Sequence, residues 1–210
     1  MSATTMPKIE FWYDFASTYS YLSVMRIEAL ARAAGVEVAW RPFLLGPIFQ
    51  AQGWSTSPFN VYPAKGRYMV RDIERIATAR GLPFTMPAVF PANSLGISRL
   101  ALALEPTGLV PAATRAVFQA QFGRGDDIAD HATWRRTLSP LVGREKLTEF
   151  VAAASGEELK QALRRRTEEA VLKGVFGAPS FVAADGEVFW GDDRLEQALL
   201  WARNGVVLET

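Results

Sequence analysis

Cysteine is absent from this 210-residue chain, which excludes disulfide exchange by its own side chains and any thiolate metal site. Histidine is almost absent. With one imidazole, His131, a histidine-rich metal centre is excluded and a Ser-His-Asp triad has a single candidate base. In DDIADHATW, among loop and helix-start residues, His131 reads as a surface or capping residue. An excess of one charge is missing too: 23 Lys and Arg face 22 Asp and Glu, leaving no net field to hold a polyanion such as nucleic acid. The chain has no run of 18 apolar residues able to span a membrane, and MSATTMPKIEF lacks the apolar stretch of a secretion signal. The expectation is a cytoplasmic protein with no nucleic-acid and no membrane partner.

What is present suffices for a large core without disulfide or metal, since 49% of the residues are hydrophobic. The length suits one domain carrying an insertion better than two independent domains. Lys8 to Tyr13 is a short aromatic run with β character. From Ser17 apolar residues recur at helical spacing to Gly35, predicting one helix, and Val36 to Phe43 alternates toward Pro42 as an edge strand. Residues 44 to about 65 mix Gly, Pro, Ser and aromatics without period and read as a long irregular stretch. Helical patterns then cover 68–80, 93–104, 111–122, 131–139, 144–153 and 156–173. Ala178 to Val182 and Glu187 to Trp190 read as strands about an Ala184-Asp185-Gly186 turn, and Asp193 as the cap of a last helix with Glu196 completing a capping box.

The order β-α-β, helices, β-β-α is the thioredoxin plan: an α/β fold with a mixed sheet and a large all-helical insertion. The predicted boundaries are 1–45 and 175–210 for the discontinuous thioredoxin-like domain and 46–174 for the insert. Ligands of α/β sheets bind where strands end and helices begin, and three such junctions stand out. In the first, DFASTYSYL, Ser17 and Ser20 keep the CxxC spacing with hydroxyls in place of thiols; Ser17 also reads simply as a helix cap. In the second, Pro179 opens a strand after Gly177-Ala178, and the bare preference of an X-Pro bond is trans. In the third, WGDDRL, Asp193 is either a cap or a polar group at a ligand-holding helix start. Trp54, Phe59, Tyr62 and Phe90 are candidates to line an aromatic pocket, although packing is the commoner role of such residues.

Taken together, DF-x-S-x-YSYL, GVFG-x-P and FWG-x-DRL, with LLGPIF, SPFNVYPAKGRYM and FPANSL between them, resemble the 2-hydroxychromene-2-carboxylate isomerases. These are relatives of the kappa-class glutathione transferases in the DsbA-like thioredoxin group. The resemblance implies a DsbA/kappa-transferase type of fold and a bound glutathione that supplies the missing thiol. By motif match, Ser17, with Thr18 and Tyr19 beside it, would meet the glutathione sulfur. Ala178 would pair its backbone with the cysteinyl part, ahead of a cis Pro179 facing the first helix. Asn60 would reach cofactor or substrate from the insert, Lys65 a carboxylate, and Asp192 and Asp193 the γ-glutamyl end. Two residues depart from the family pattern: Thr18 stands where proline is usual, and Asp192 where Ser or Asn is expected. The implied activity is glutathione-dependent isomerisation of a small aromatic hydroxyacid by thiolate addition, bond rotation and elimination, in a family whose members are commonly homodimers. The alternatives are a kappa-like transferase or peroxidase and a non-catalytic thioredoxin-fold binding or chaperone module.

Overall fold

A computed structural model describes residues 6–205; residues 1–5 and 206–210, the outer ends of the expected discontinuous domain, lie outside the described residues. Strand β1 (Lys8–Tyr13) pairs in parallel with β2 (Glu37–Pro42) and antiparallel with β3 (Ser180–Ala183), which pairs antiparallel with β4 (Val188–Trp190). The order β2-β1-β3-β4 leaves β2 at an edge, where Pro42 costs no ladder bond. The register sets Phe11 against Trp40 on one side and Phe181 on the other. Phe11 stacks on Phe181 and Tyr13 and meets Trp40 edge-on, and the aromatic contacts continue from Tyr13 through Phe15 to Phe118 in the insert. The opposite sheet face carries a smaller cluster in which Trp12 and Val182 meet Phe43, Ile48, Ala170 and Val175. Both faces of β1 are therefore covered, as its continuous aromatic run requires.

The stretch expected as one helix from Ser17 to Gly35 is two, α1 (Thr18–Val24) and α2 (Ile27–Ala34). The break falls at Arg26, which leaves the helical basin at φ −130° while its guanidinium reaches Asp192 and Glu196. The stretch expected to be irregular holds α3 (Leu45–Ala51) and α4 (Pro58–Val61), followed by α5 (Pro63–Ala79). Its prolines misled the reading: Pro58 and Pro63 open their helices, where the missing N–H costs nothing. The remaining helices are α6 (Leu95–Ala103), α7 (Val110–Phe118), α8 (His131–Val142), α9 (Arg144–Ala154), α10 (Glu157–Leu172) and α11 (Leu195–Asn204). A π turn over Gln119–Gly123 extends α7.

The expected capping box does not form. Asp192–Arg194 is a 3₁₀ turn, Arg194 occupies the cap of α11 without a side-chain bond, and Glu196 pairs with Arg26 instead. His131 is the exposed first residue of α8, its ring stacked on Trp134, and Asp130 supplies the cap by accepting from the Ala132 N–H at 2.8 Å. Among the described residues no helix is long and apolar enough to cross a membrane, and no three His, Cys, Asp or Glu side chains gather as a metal site.

Candidate active site

The loop between β1 and α1 is shaped by Asp14, a residue that sequence reasoning passed over. Its buried carboxylate accepts from the Ala16 N–H at 2.9 Å and the Leu45 N–H at 2.7 Å, and its carbonyl accepts from the Ser17 N–H at 2.9 Å. Burial pushes the Asp14 carboxyl above the usual carboxylate range, with the two backbone donors working against that rise. One residue thus ties together the loop and the start of α3 through its side chain, and Ser17 through its carbonyl.

Ser17 caps α1: its Oγ accepts the Ser20 N–H at 3.1 Å. The same hydroxyl donates across the site to the carbonyl of Ala178 at 2.9 Å, a bond between residues 161 positions apart. Ser17 is thus a helix cap whose hydroxyl also bridges to the loop ahead of β3. The Ala178–Pro179 bond is cis. Behind it the Ser180 hydroxyl donates to Gly177 O at 2.8 Å and the Gly191 N–H to Pro179 O at 2.9 Å, which joins this loop to the WGDDRL junction. Gly177 is required by contact, because a Cβ there would run into the Trp190 indole.

The next residues of α1 face the insert. Thr18, at the position usual for proline, is buried with its hydroxyl on the Met69 sulfur at 3.3 Å. Tyr19 donates to Asp72 Oδ2 at 2.9 Å, and burial, reinforced by that carboxylate, raises its phenol above the ordinary tyrosine value. These bonds bring the middle of α5 beside the start of α1. Lys65 lies one turn ahead of Met69 and so on the same face of α5; its ammonium rests over the Tyr62 ring at 4.9 Å from the centroid. Asn60 is exposed in α4 and donates to Thr56 Oγ1 at 3.2 Å. The proposed aromatic lining is not gathered into one group: Trp54 packs on Phe49, Phe59 and Phe90 lean on the core, and Tyr62 is exposed beneath Lys65.

Asp192 and Asp193, treated as a pair in the sequence, part company in space. Asp192 is 4% exposed, and its carboxylate is held by Arg80 at 2.8 Å, Arg26 Nε at 3.3 Å and the Ser23 hydroxyl at 2.9 Å. The charge that Asp192 adds where Ser or Asn is expected is met by two guanidinium groups of this chain. Neither arginine carries a local signal for this role, since their partner is more than a hundred residues away. The Asp193 side chain is 73% exposed, and among the described residues its one ion-pair partner is the neighbouring Arg194, at 3.5 Å. Its charge adds a small contribution to the raised Tyr19 phenol, after burial and Asp72.

The family model of the DSBA-like thioredoxin domain matches residues 8–199. A 2-hydroxychromene-2-carboxylate isomerase from Sphingobium xenophagum is 31% identical over 190 residues, 90% of this chain and 94% of that protein. Human glutathione S-transferase kappa 1 is 27% identical over 205 residues, 90% of this chain and 87% of that protein. A solved structure of a 2-hydroxychromene-2-carboxylate isomerase superposes with a TM-score of 0.78 at 25% identity, covering 90% of each chain.

Proposed function

This chain belongs to the DSBA-like thioredoxin family, in the 2-hydroxychromene-2-carboxylate isomerase group beside the kappa-class transferases, and from that premise we propose that it is a glutathione-dependent isomerase. Its substrate would be an aromatic hydroxyacid of ring degradation, with 2-hydroxychromene-2-carboxylate and trans-o-hydroxybenzylidenepyruvate as the interconverted pair. The observation that carries the reading is the Ser17 hydroxyl bonded to Ala178 O across the site, in a chain without a thiol.

The residues fit glutathione chemically. Ala178 presents a backbone carbonyl able to accept a peptide N–H, Ser17 a hydroxyl donor, and Asp193 an exposed carboxylate suited to the γ-glutamyl ammonium. Lys65 and Asn60 add a cation and an amide from the insert. When bound, glutathione supplies the thiol nucleophile for addition to the conjugated carbon, rotation and elimination. The chain's part is to hold and ionise that thiol. With Ala178 O accepting from a ligand N–H, the Ser17 hydroxyl would be free to turn its O–H toward the sulfur as a hydrogen-bond donor. A thiol with a pKa of about 8.5 is only slightly ionised at neutral pH, and lowering it by about two units needs about 2.7 kcal/mol. One charge-assisted hydrogen bond contributes about 1.5–3 kcal/mol, so Ser17 accounts for most of the requirement.

Incubation with 2-hydroxychromene-2-carboxylate and glutathione tests the reading, with product and free thiol followed together. The expected result is isomerisation that requires glutathione and leaves its concentration unchanged. The similarity to kappa transferases supports a second reading, in which glutathione is consumed by conjugation or oxidation. A protein that neither isomerises nor binds glutathione would be a binding or chaperone module.

A further inference from the structure

Three serines run along α1 at intervals of three: Ser17, Ser20 and Ser23 are all buried, with exposures of 8%, 0% and 0%. The outer two are engaged through their hydroxyls, Ser17 with Ala178 O and Ser23 with Asp192. Ser20 Oγ has no hydrogen-bond partner. Ser20 is the third residue of α1, so the carbonyl four residues back belongs to Ala16, ahead of the cap, and the Ser20 hydroxyl makes no bond to it. An alanine would fill the same space without burying an unmatched polar group.

We infer that Ser20 is a positioning residue whose hydroxyl is held in reserve for Ser17. This inference rests on the glutathione reading above. A hydroxyl oxygen accepts twice and donates once. Ser17 Oγ now accepts from the Ser20 N–H and donates to Ala178 O, which leaves one acceptor position open. The Cα–Cβ bonds of a helix tilt toward its N-terminus, so the Ser20 Cβ lies over the turn that begins at Ser17, and its hydroxyl, engaged with no partner, is free to rotate toward that residue. When a ligand N–H takes over Ala178 O and the Ser17 proton turns to the sulfur, Ser20 donates into the open position of Ser17 Oγ. A hydroxyl that accepts two hydrogen bonds is a stronger donor than one that accepts one. The thiolate is stabilised through Ser17, and Ser20 touches neither ligand.

The test is Ser20→Ala, alone and in a Ser17→Ala background, read by thiolate absorbance of the glutathione complex against pH and by thermal melting. The expected result is an upward shift of the bound thiol by roughly half a pH unit, in keeping with modest cooperativity between linked hydrogen bonds, and no loss of thermal stability. In the Ser17→Ala background, Ser20→Ala should shift the titration no further. A wild-type titration in Ser20→Ala overturns the inference. So does an equal shift with Ser17 absent, or a loss of stability without a shift. A wild-type protein that gives no bound-thiolate signal overturns the glutathione reading together with this one.

Discussion

The sheet side and the insert side of the candidate site are built in opposite ways. On the sheet side Ser17 and Asp192 are buried, and their bonds reach across the fold to Ala178, Arg26 and Arg80. On the insert side Asn60 and Lys65 are exposed, and the partners of their side chains, Thr56 and Tyr62, lie within four residues of them. Long-range bonds among buried groups hold the hydroxyl in place before a ligand arrives, whereas short-range bonds in water are exchanged for ligand contacts at little cost. In the proposed function the sheet side would carry the chemistry and the insert side would adapt to what is bound.

The comparison breaks most severely at Asp192. Asp192→Ala removes the buried carboxylate that Arg26 and Arg80 share, leaving Arg26 with Glu196 and the residue-192 carbonyl, and breaking a buried pair costs about 3–5 kcal/mol. Both arginines retain some access to water, 19% and 30% by side chain, so the expected loss is about 2–3 kcal/mol in denaturant unfolding. Asp192→Asn, which can keep the Ser23 bond, should lose less. Equal stability of wild type and Asp192→Ala would mean that the sheet side is not locked by this network.

The insert side has its own fixed point at Gly66, where a Cβ would run into the Phe59 carbonyl. Gly66→Ala should push α4 away from α5, costing about 1–3 kcal/mol as overpacking does, and should weaken glutathione binding as Asn60 moves. Calorimetry and thermal melting on the same variant check the two effects together. The smallest effect belongs to Asn60→Ala: melting should stay within about 0.5 kcal/mol, as for exposed substitutions, while glutathione or substrate affinity falls severalfold. A large loss of stability with unchanged kinetics would make Asn60 a turn residue of the insert.

The same contrast explains what the sequence disclosed. The strands were readable because the β1 aromatics and the alternation in β2 are local patterns, and the Ser17–Ser20 spacing is local too. The part of the active edge that rests on Pro179 needed the family resemblance, because the preference of an isolated X-Pro bond points the other way. The break at Arg26 was hidden because its cause is Asp192, 166 residues later. The Asp193–Glu196 capping box was a sound local pattern that lost to tertiary structure, with Glu196 drawn to Arg26. In α3, α4 and α5 the prolines that looked like loop markers sit in first turns, where they are compatible with helix.

The central claim is that Ser17 ionises a thiol the chain does not possess. It is tested most directly by the thiolate absorbance of the glutathione complex across pH, for wild type and Ser17→Ala, with isomerisation rates measured on the same samples. The variant should fold with about 1 kcal/mol less stability, as expected for loss of a cap, and should still bind glutathione. Its bound thiol should titrate at least one pH unit higher, and turnover should fall at least tenfold, about 1.4 kcal/mol in transition-state terms. Coincident titrations with full activity would reduce Ser17 to a helix cap and contradict the mechanism.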